Sequence, residues 1–310
     1  MSFNSDVKEE LSLVEPTCSH CNRALLAALI RIEGTLFISG GGRSRLEVAC
    51  DIASVARLVL KLIHEEYGLR TDLTMRRSVL HKTPNYLIEV PMQEGLDEAL
   101  RDMGVIGEAG LELGISPQLV AKQCCASAYL RGAFLGSGFV ADPRGDFHFE
   151  ITVESPEMAD GLVELMERKG IHGKIMRRRS SQMVYLKSGE SIMEFLAYIG
   201  AHRQALEMES ERVLKSVRNE VNRLANAELA NQKKAGNAAA DQLHAMRVVI
   251  DRHGLDNLPP ALREIIRLRV SYPDATLAEL GQYASPPLSK SAVYHRMRRI
   301  EQMAEEDWKG

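Results

Sequence analysis

No stretch of the 310-residue sequence approaches the ~18 consecutive apolar residues that a membrane span requires. The opening segment, from Met1 to Leu11, lacks a basic region followed by an apolar core. It is therefore not a signal peptide, and cytoplasmic residence is expected. An excess of positive charge is missing as well: 39 Lys and Arg face 42 Asp and Glu, a formal net charge of −3. Binding to nucleic acid would then need a local basic face, which is sufficient. Cysteines are few and odd in number, five in all: Cys18, Cys21, Cys50, Cys124 and Cys125. That argues against a disulfide framework. Cys18-Ser19-His20-Cys21 has half the spacing of a structural zinc site, which needs four ligands. No second C-x-x-C pair follows, so a polar lead-in to a helix, holding no metal, is expected. The run Gly40-Gly41-Gly42 lacks the Lys-Ser/Thr of a phosphate-binding loop. It reads as a hairpin turn, and no cofactor or small-molecule substrate is expected.

What is present is a repeat. Leu26-Ala27-Ala28-Leu29-Ile30-Arg31-Ile32-Glu33-Gly34 and Leu130-Arg131-Gly132-Ala133-Phe134-Leu135-Gly136-Ser137-Gly138 are similar helix ends about 100 residues apart. Their small residues, Ala27 and Ala28 in one and Gly132, Ala133 and Gly136 in the other, let two helix backbones approach closely. Tyr67-Gly68-Leu69-Arg70 and Lys169-Gly170-Ile171-His172 match at nearly the same offset. Agreement at two separated places indicates a duplicated domain. An acid at the end of both helices would hold a pair of divalent metals for phosphodiester hydrolysis. Glu33 supplies one; its counterpart is Ser137, which is neutral and binds Mg2+ weakly. Asp142, across the following strand, does not obviously replace it.

Each copy reads as helix, strand pair, helix, strand pair, helix. The first runs from about Arg23 to Met103, with strands near 35–39, 45–50, 69–77 and 86–90 and a turn at Pro84-Asn85. The second runs from about Leu119 to Ile199, with strands near 138–141, 146–153, 173–180 and 183–186. The fold class is thus α+β, a duplicated αββαββα domain with pseudo-twofold symmetry over 1–205. A polar, helix-compatible linker covers 206–241, and an all-α domain covers 242–310.

The last segment carries a helix-turn-helix pattern. Pro259-Pro260 opens a helix whose apolar face is Leu262, Ile265, Ile266 and Val270. Thr276-Leu277-Ala278-Glu279 is a capping box, with Leu277 and Leu280 inward. Ser285-Pro286-Pro287 makes the turn, and Ser289 caps the next helix. Val293, Met297 and Ile300 form its inward stripe at i, i+4, i+7. Lys290, Ser291, Tyr294, His295, Arg298 and Arg299, with Arg296 beside the stripe, form a basic face. No acid lies between Ser285 and Ile300. Such a helix suits the major groove, where arginine pairs with guanine and lysine neutralises phosphate.

The two helix ends resemble degenerate LAGLIDADG motifs, the signature of homing endonucleases. Ser289-Lys290-Ser291 and His295-Arg296 are similar to the C-terminal domain of the WhiA family, itself like region 4 of sigma factors. Over nearly its whole length the chain resembles that family of bacterial DNA-binding regulators. The resemblance implies a LAGLIDADG-like domain without nuclease activity, joined to a helix-turn-helix. It implies control of cell division and, in spore-formers, of sporulation septation at promoter sites on double-stranded DNA within the nucleoid. In actinobacteria it also implies partnership with a WhiB-like iron–sulfur regulator. Ser137, and Arg31 in place of the first acid of the first motif, agree with lost catalysis.

Two roles for the duplicated domain are open. Arg76, Arg77, Arg177, Arg178 and Arg179 fall on predicted strands and suit phosphate or groove contact. Alternatively the chain is an adaptor or nucleoid-associated protein whose duplicated domain docks proteins.

Overall fold

The computed structural model describes residues 2–39, 43–77, 84–108, 110–178 and 180–306. The chain divides into two compact units, Met1–Lys215 and Ser216–Gly310.

The first unit opens with a helix the repeat does not announce, α1 (Phe3–Ser12). The first copy of the repeat then comprises α2 (Cys21–Glu33), β1 (Gly34–Ser39), β2 (Arg43–Cys50), α3 (Ala53–Tyr67), β3 (Asp72–Arg77), β4 (Pro84–Val90) and α4 (Leu96–Asp102). A small hairpin, β5 (Ile106–Gly107) and β6 (Gly110–Leu111), intervenes. The second copy comprises α5 (Gln123–Ser137), β7 (Gly138–Val140), β8 (Phe149–Val153), α6 (Pro156–Glu167), β9 (Lys174–Arg177), β10 (Gln182–Leu186) and α7 (Gly189–Ile199). The strand orders, β1-β2-β4-β3 and β7-β8-β10-β9, are the same topology repeated. Neighbouring strands are antiparallel in both. The duplicated α+β architecture is therefore the observed one. Pro84-Asn85 opens β4 and is not the turn; residues 78–83, between β3 and β4, and Gly40-Gly41-Gly42 lie outside the described residues.

The small residues do what the repeat predicts. A methyl at Gly132 would collide with the Leu25 carbonyl oxygen, and one at Gly136 would lie 3.2 Å from Glu33 Cγ. Gly34 and Gly138 pass from helix straight into extended backbone, where a Cβ would strike the carbonyls of Ile30 and Phe134. Alternate strand residues face inward, as Phe149, Ile151 and Val153 do in β8. Phe149 stacks on Phe134 at 5.5 Å and meets Phe195 edge-on at 4.7 Å.

Beyond the sheets, α8 (His202–His253) is a single 52-residue helix. The second unit adds α9 (Pro260–Ser271), α10 (Leu277–Tyr283) and α11 (Lys290–Glu306). Its core contains Leu262, Ile265, Ile266, Leu280, Val293, Met297 and Ile300, with Leu277 half-buried against it. Val270 departs from expectation and is 59% exposed. Arg269 turns inward in its place, donating to the Ala275 carbonyl and to Gln242 Oε1 at 2.9 Å. Those acceptors make the inward position polar, which apolar periodicity alone does not reveal.

Candidate nucleic-acid interface

The helix-turn-helix is assembled by local hydrogen bonds. Glu279 N–H donates to Thr276 Oγ1 at 3.3 Å, and Thr276 N–H donates to Glu279 Oε2 at 2.7 Å, which closes the capping box. Ala292 N–H donates to Ser289 Oγ at 3.2 Å. The turn folds back on α10 where Leu288 N–H donates to the Gly281 carbonyl at 2.8 Å. A side chain at Gly281 would collide with the Leu288 carbonyl oxygen. Glu264 joins three elements: it accepts from Ser285 N–H at 3.0 Å and from Arg296 Nη1 at 2.9 Å. The sequence did not single out Gly281 or Glu264.

On α11 the residues Lys290, Ser291, Tyr294, His295, Arg298 and Arg299 are exposed, as is Thr276 at the start of α10. Arg296 is half-buried against Glu264 and belongs to the packing. Arg298 lies 3.4 Å from Glu301, which ends the acid-free surface. The geometry thus presents a convex helix with cationic and hydroxyl donors and no carboxylate over its first ten residues.

The ends of α2 and α5 form a second candidate site. Glu33 and Ser137 line one cavity of about 370 Å³, with Asn4, Lys8, Asp51 and Asn85. Ser137 Oγ donates to the Thr152 carbonyl. Lys8, 3% exposed, donates from Nζ to the Gly136 carbonyl at 2.9 Å and stands 3.7 Å from Asp51 Oδ1. Burial raises the Glu33 carboxyl above its ordinary range, and Lys8 opposes that shift. Lys8 and Asp51 were not legible as site residues, because α1 and the end of β2 lie outside the motif. Arg31 points elsewhere, donating to the carbonyls of Gly104 at 2.8 Å and Gly114 at 3.0 Å.

Of the strand arginines, Arg76, Arg77 and Arg177 fall at strand ends. Arg76 and Arg77 end β3 in register with Asn85 and Pro84. Their side chains, and Arg179, lie outside the described residues. Arg177 ends β9, and Arg178 is past it, because the register with β10 closes at Arg177 and Gln182. Arg178 N–H donates to the Ser181 carbonyl at 2.9 Å within the turn. Across the first sheet, Thr35, Glu47, Glu89 and Asp72 stand opposite one another in one row. Arg45 is paired with Glu47 and Glu89, each at 3.1 Å.

Cys18 and Cys21 are not without partners, contrary to expectation. Cys124 and Cys125, in the first turn of α5, meet them, and all four sulfurs lie within 4.8 Å of one another. Chain spacing concealed this, but the repeat did not: aligning Gly34 with Gly138 places Cys21 on Cys125. Hydrogen bonds from the backbone and ring of His20 hold the Cys18 thiol at about 6, while burial pushes the Cys21 and Cys125 thiols up.

Comparison with known proteins matches this architecture along the chain. The profile of the WhiA N-terminal LAGLIDADG-like domain matches residues 19–106, that of the WhiA LAGLIDADG-like domain 126–218, and that of the WhiA C-terminal HTH domain 221–304. The "Probable cell division protein WhiA" of Heliobacterium modesticaldum is 43% identical over 307 residues, covering 98% of this chain and 96% of that one. The chain belongs to the WhiA family. The protein of the same name from Symbiobacterium thermophilum is 41% identical, with 98% of each chain covered. Among solved structures, full-length WhiA from Thermotoga maritima superposes with a TM-score of 0.61 at 24% identity, over 99% of both chains. The N-terminal LAGLIDADG domain of WhiA gives 0.52 at 21% identity, covering 64% of this chain and 90% of that one. Those two structures carry the fold, and the curated relatives carry the family and its cell-division name.

Proposed function

We propose that this WhiA-family chain is a sequence-specific, non-enzymatic DNA-binding regulator of cell-division and sporulation-septation genes. It works in the cytoplasm at the nucleoid, on double-stranded promoter DNA. The observation that carries the reading is the exposed face of α11. Its first turns present Lys290, Ser291, Tyr294, His295, Arg298 and Arg299 with no acid among them. In a helix-turn-helix the first turns of the second helix meet base edges. Arg298 is the residue for bidentate guanine contact, and Lys290 and Arg299 are for phosphate. The WhiB-like partner rests on the family resemblance.

Electrostatics in the helix-end cavity support the absence of nuclease activity. A pair of divalent cations needs carboxylates at both helix ends. Ser137 is a neutral hydroxyl turned to a carbonyl, and a buried ammonium, Lys8, is already fixed beside Glu33. A second reading, protein docking by the first sheet, is favoured by the row Glu47, Glu89 and Asp72, three carboxylates against the single Arg45 that pairs with two of them, a net negative row that disfavours a phosphate backbone. Genome-wide mapping of binding sites separates the two. The regulator reading expects a shared sequence motif at division-gene promoters that disappears when Arg298 and Lys290 are replaced. Recruitment without a motif would favour docking.

A further inference from the structure

The four sulfurs at the start of α2 and α5 have the geometry of a metal site. Cys18 Sγ lies 3.5 Å from Cys21, 3.6 Å from Cys124 and 3.7 Å from Cys125. A tetrahedral ion with sulfur ligands at about 2.3 Å sets them about 3.8 Å apart. We propose that Cys18, Cys21, Cys124 and Cys125 bind one Zn2+ as a structural four-cysteine site joining the two copies of the repeat.

Three features support zinc over the alternatives. The set is all thiolate and four in number, the closed coordination of structural zinc. The sulfurs converge on a single point, with no room among them for the inorganic sulfides of an iron–sulfur cluster. Cys21 opens α2 and Cys124 and Cys125 lie in the first turn of α5, and neither helix has a side-chain cap. The positive helix ends therefore lie beside the thiolates and offset their charge. Zn2+ enters as the thiol protons leave to solvent; no electron is transferred.

The site has a place in the fold. It ties residues more than 100 positions apart at the N-terminal ends of the central helix pair. The helix-end cavity with Glu33 and Ser137 is at the other ends, about 20 Å away along the helices. The pair is thus pinned twice, by zinc at one end and by the Lys8–Gly136 hydrogen bond at the other. Cys21 and Cys125 are equivalent under the repeat, so the ion lies near the pseudo-twofold axis. Cys18 and Cys124 complete the set asymmetrically.

The test is metal analysis of the full-length chain, purified without chelator or histidine tag. The expected result is about one zinc per chain after gel filtration, lost in Cys124→Ser and retained in Cys50→Ser. Cobalt substitution should give a thiolate-to-metal charge-transfer band and tetrahedral ligand-field bands. If Cys124→Ser fails to fold, the wild type decides: chelator-stripped chain should recover its melting temperature on adding equimolar Zn2+. The proposal is overturned if reduced wild-type chain takes up no zinc and its melting temperature ignores the ion. It is equally overturned if the isolated chain carries iron, or a disulfide between any two of these cysteines.

Discussion

Lys8 on α1 donates to the carbonyl oxygen of Gly136 on α5 at 2.9 Å, placing a buried cation beside Glu33. Burial raises the Glu33 carboxyl, the nearby Lys8 partly offsets this, and Asp51 adds to it. A carboxyl raised on folding binds more protons in the native state between its unfolded and folded values. Stability is then lost as pH rises through that window. Glu33→Gln should therefore stabilise the chain at neutral pH, and the gain should vanish at pH below the ordinary carboxylate range. Urea denaturation at both pH values checks this. A Glu33→Gln variant less stable at pH 7 would mean the Lys8 attraction outweighs desolvation.

Supercoiled plasmid incubated with the chain and Mg2+ or Mn2+ should remain intact. Ser137→Asp alone should not produce cutting, because Lys8 still occupies the cavity. Metal-dependent cleavage abolished by Glu33→Gln would overturn the assignment of this site as vestigial.

Two glycines should respond oppositely to alanine. Gly132→Ala forces α5 away from the Leu25 carbonyl, and overpacking of this kind costs about 1–3 kcal/mol. Gly236 lies within α8, and a methyl added there would meet nothing within 4 Å. Gly236→Ala should stabilise the helix by about 1 kcal/mol. Thermal denaturation and helicity measure both.

Arg296 and Arg298 are neighbours on α11 with different work. Arg296 pairs with Glu264 at 2.9 Å in a half-buried position, and Glu264 also holds the turn at Ser285. Arg296→Ala should destabilise the second unit by about 1 kcal/mol or less for such a pair, read as a lower melting temperature, and leave base preference unchanged. A shift in preference without a stability change would place Arg296 among the readers.

Much of the fold was legible because it is repeated. Small residues before Gly34 and Gly138, and the second match at Gly68 and Gly170, announced the duplication; the order of strands within each sheet was not legible there. The helix-turn-helix was legible because caps and apolar period coincide at Thr276, Ser289 and the stripe Val293, Met297 and Ile300. What escaped depends on contacts between distant segments. Lys8 belongs to a helix outside the repeat, and its meeting with Gly136 spans 128 positions. The inward turn of Arg269 in place of Val270 depends on acceptors supplied by Gln242 and Ala275. The cysteines were half-legible: reading along the chain finds one C-x-x-C, whereas overlaying the repeats brings Cys21 onto Cys125.

The most direct test of the account is DNA affinity of the full-length chain for a mapped genomic site across a salt series. Arg298→Ala should lose about 1–3 kcal/mol on that site and relax preference at one base pair. Lys290→Ala should weaken binding similarly on all sequences and make the salt slope shallower by about one unit. Wild-type affinity and salt slope in both variants would contradict it, because α11 would then not be the surface that reads DNA.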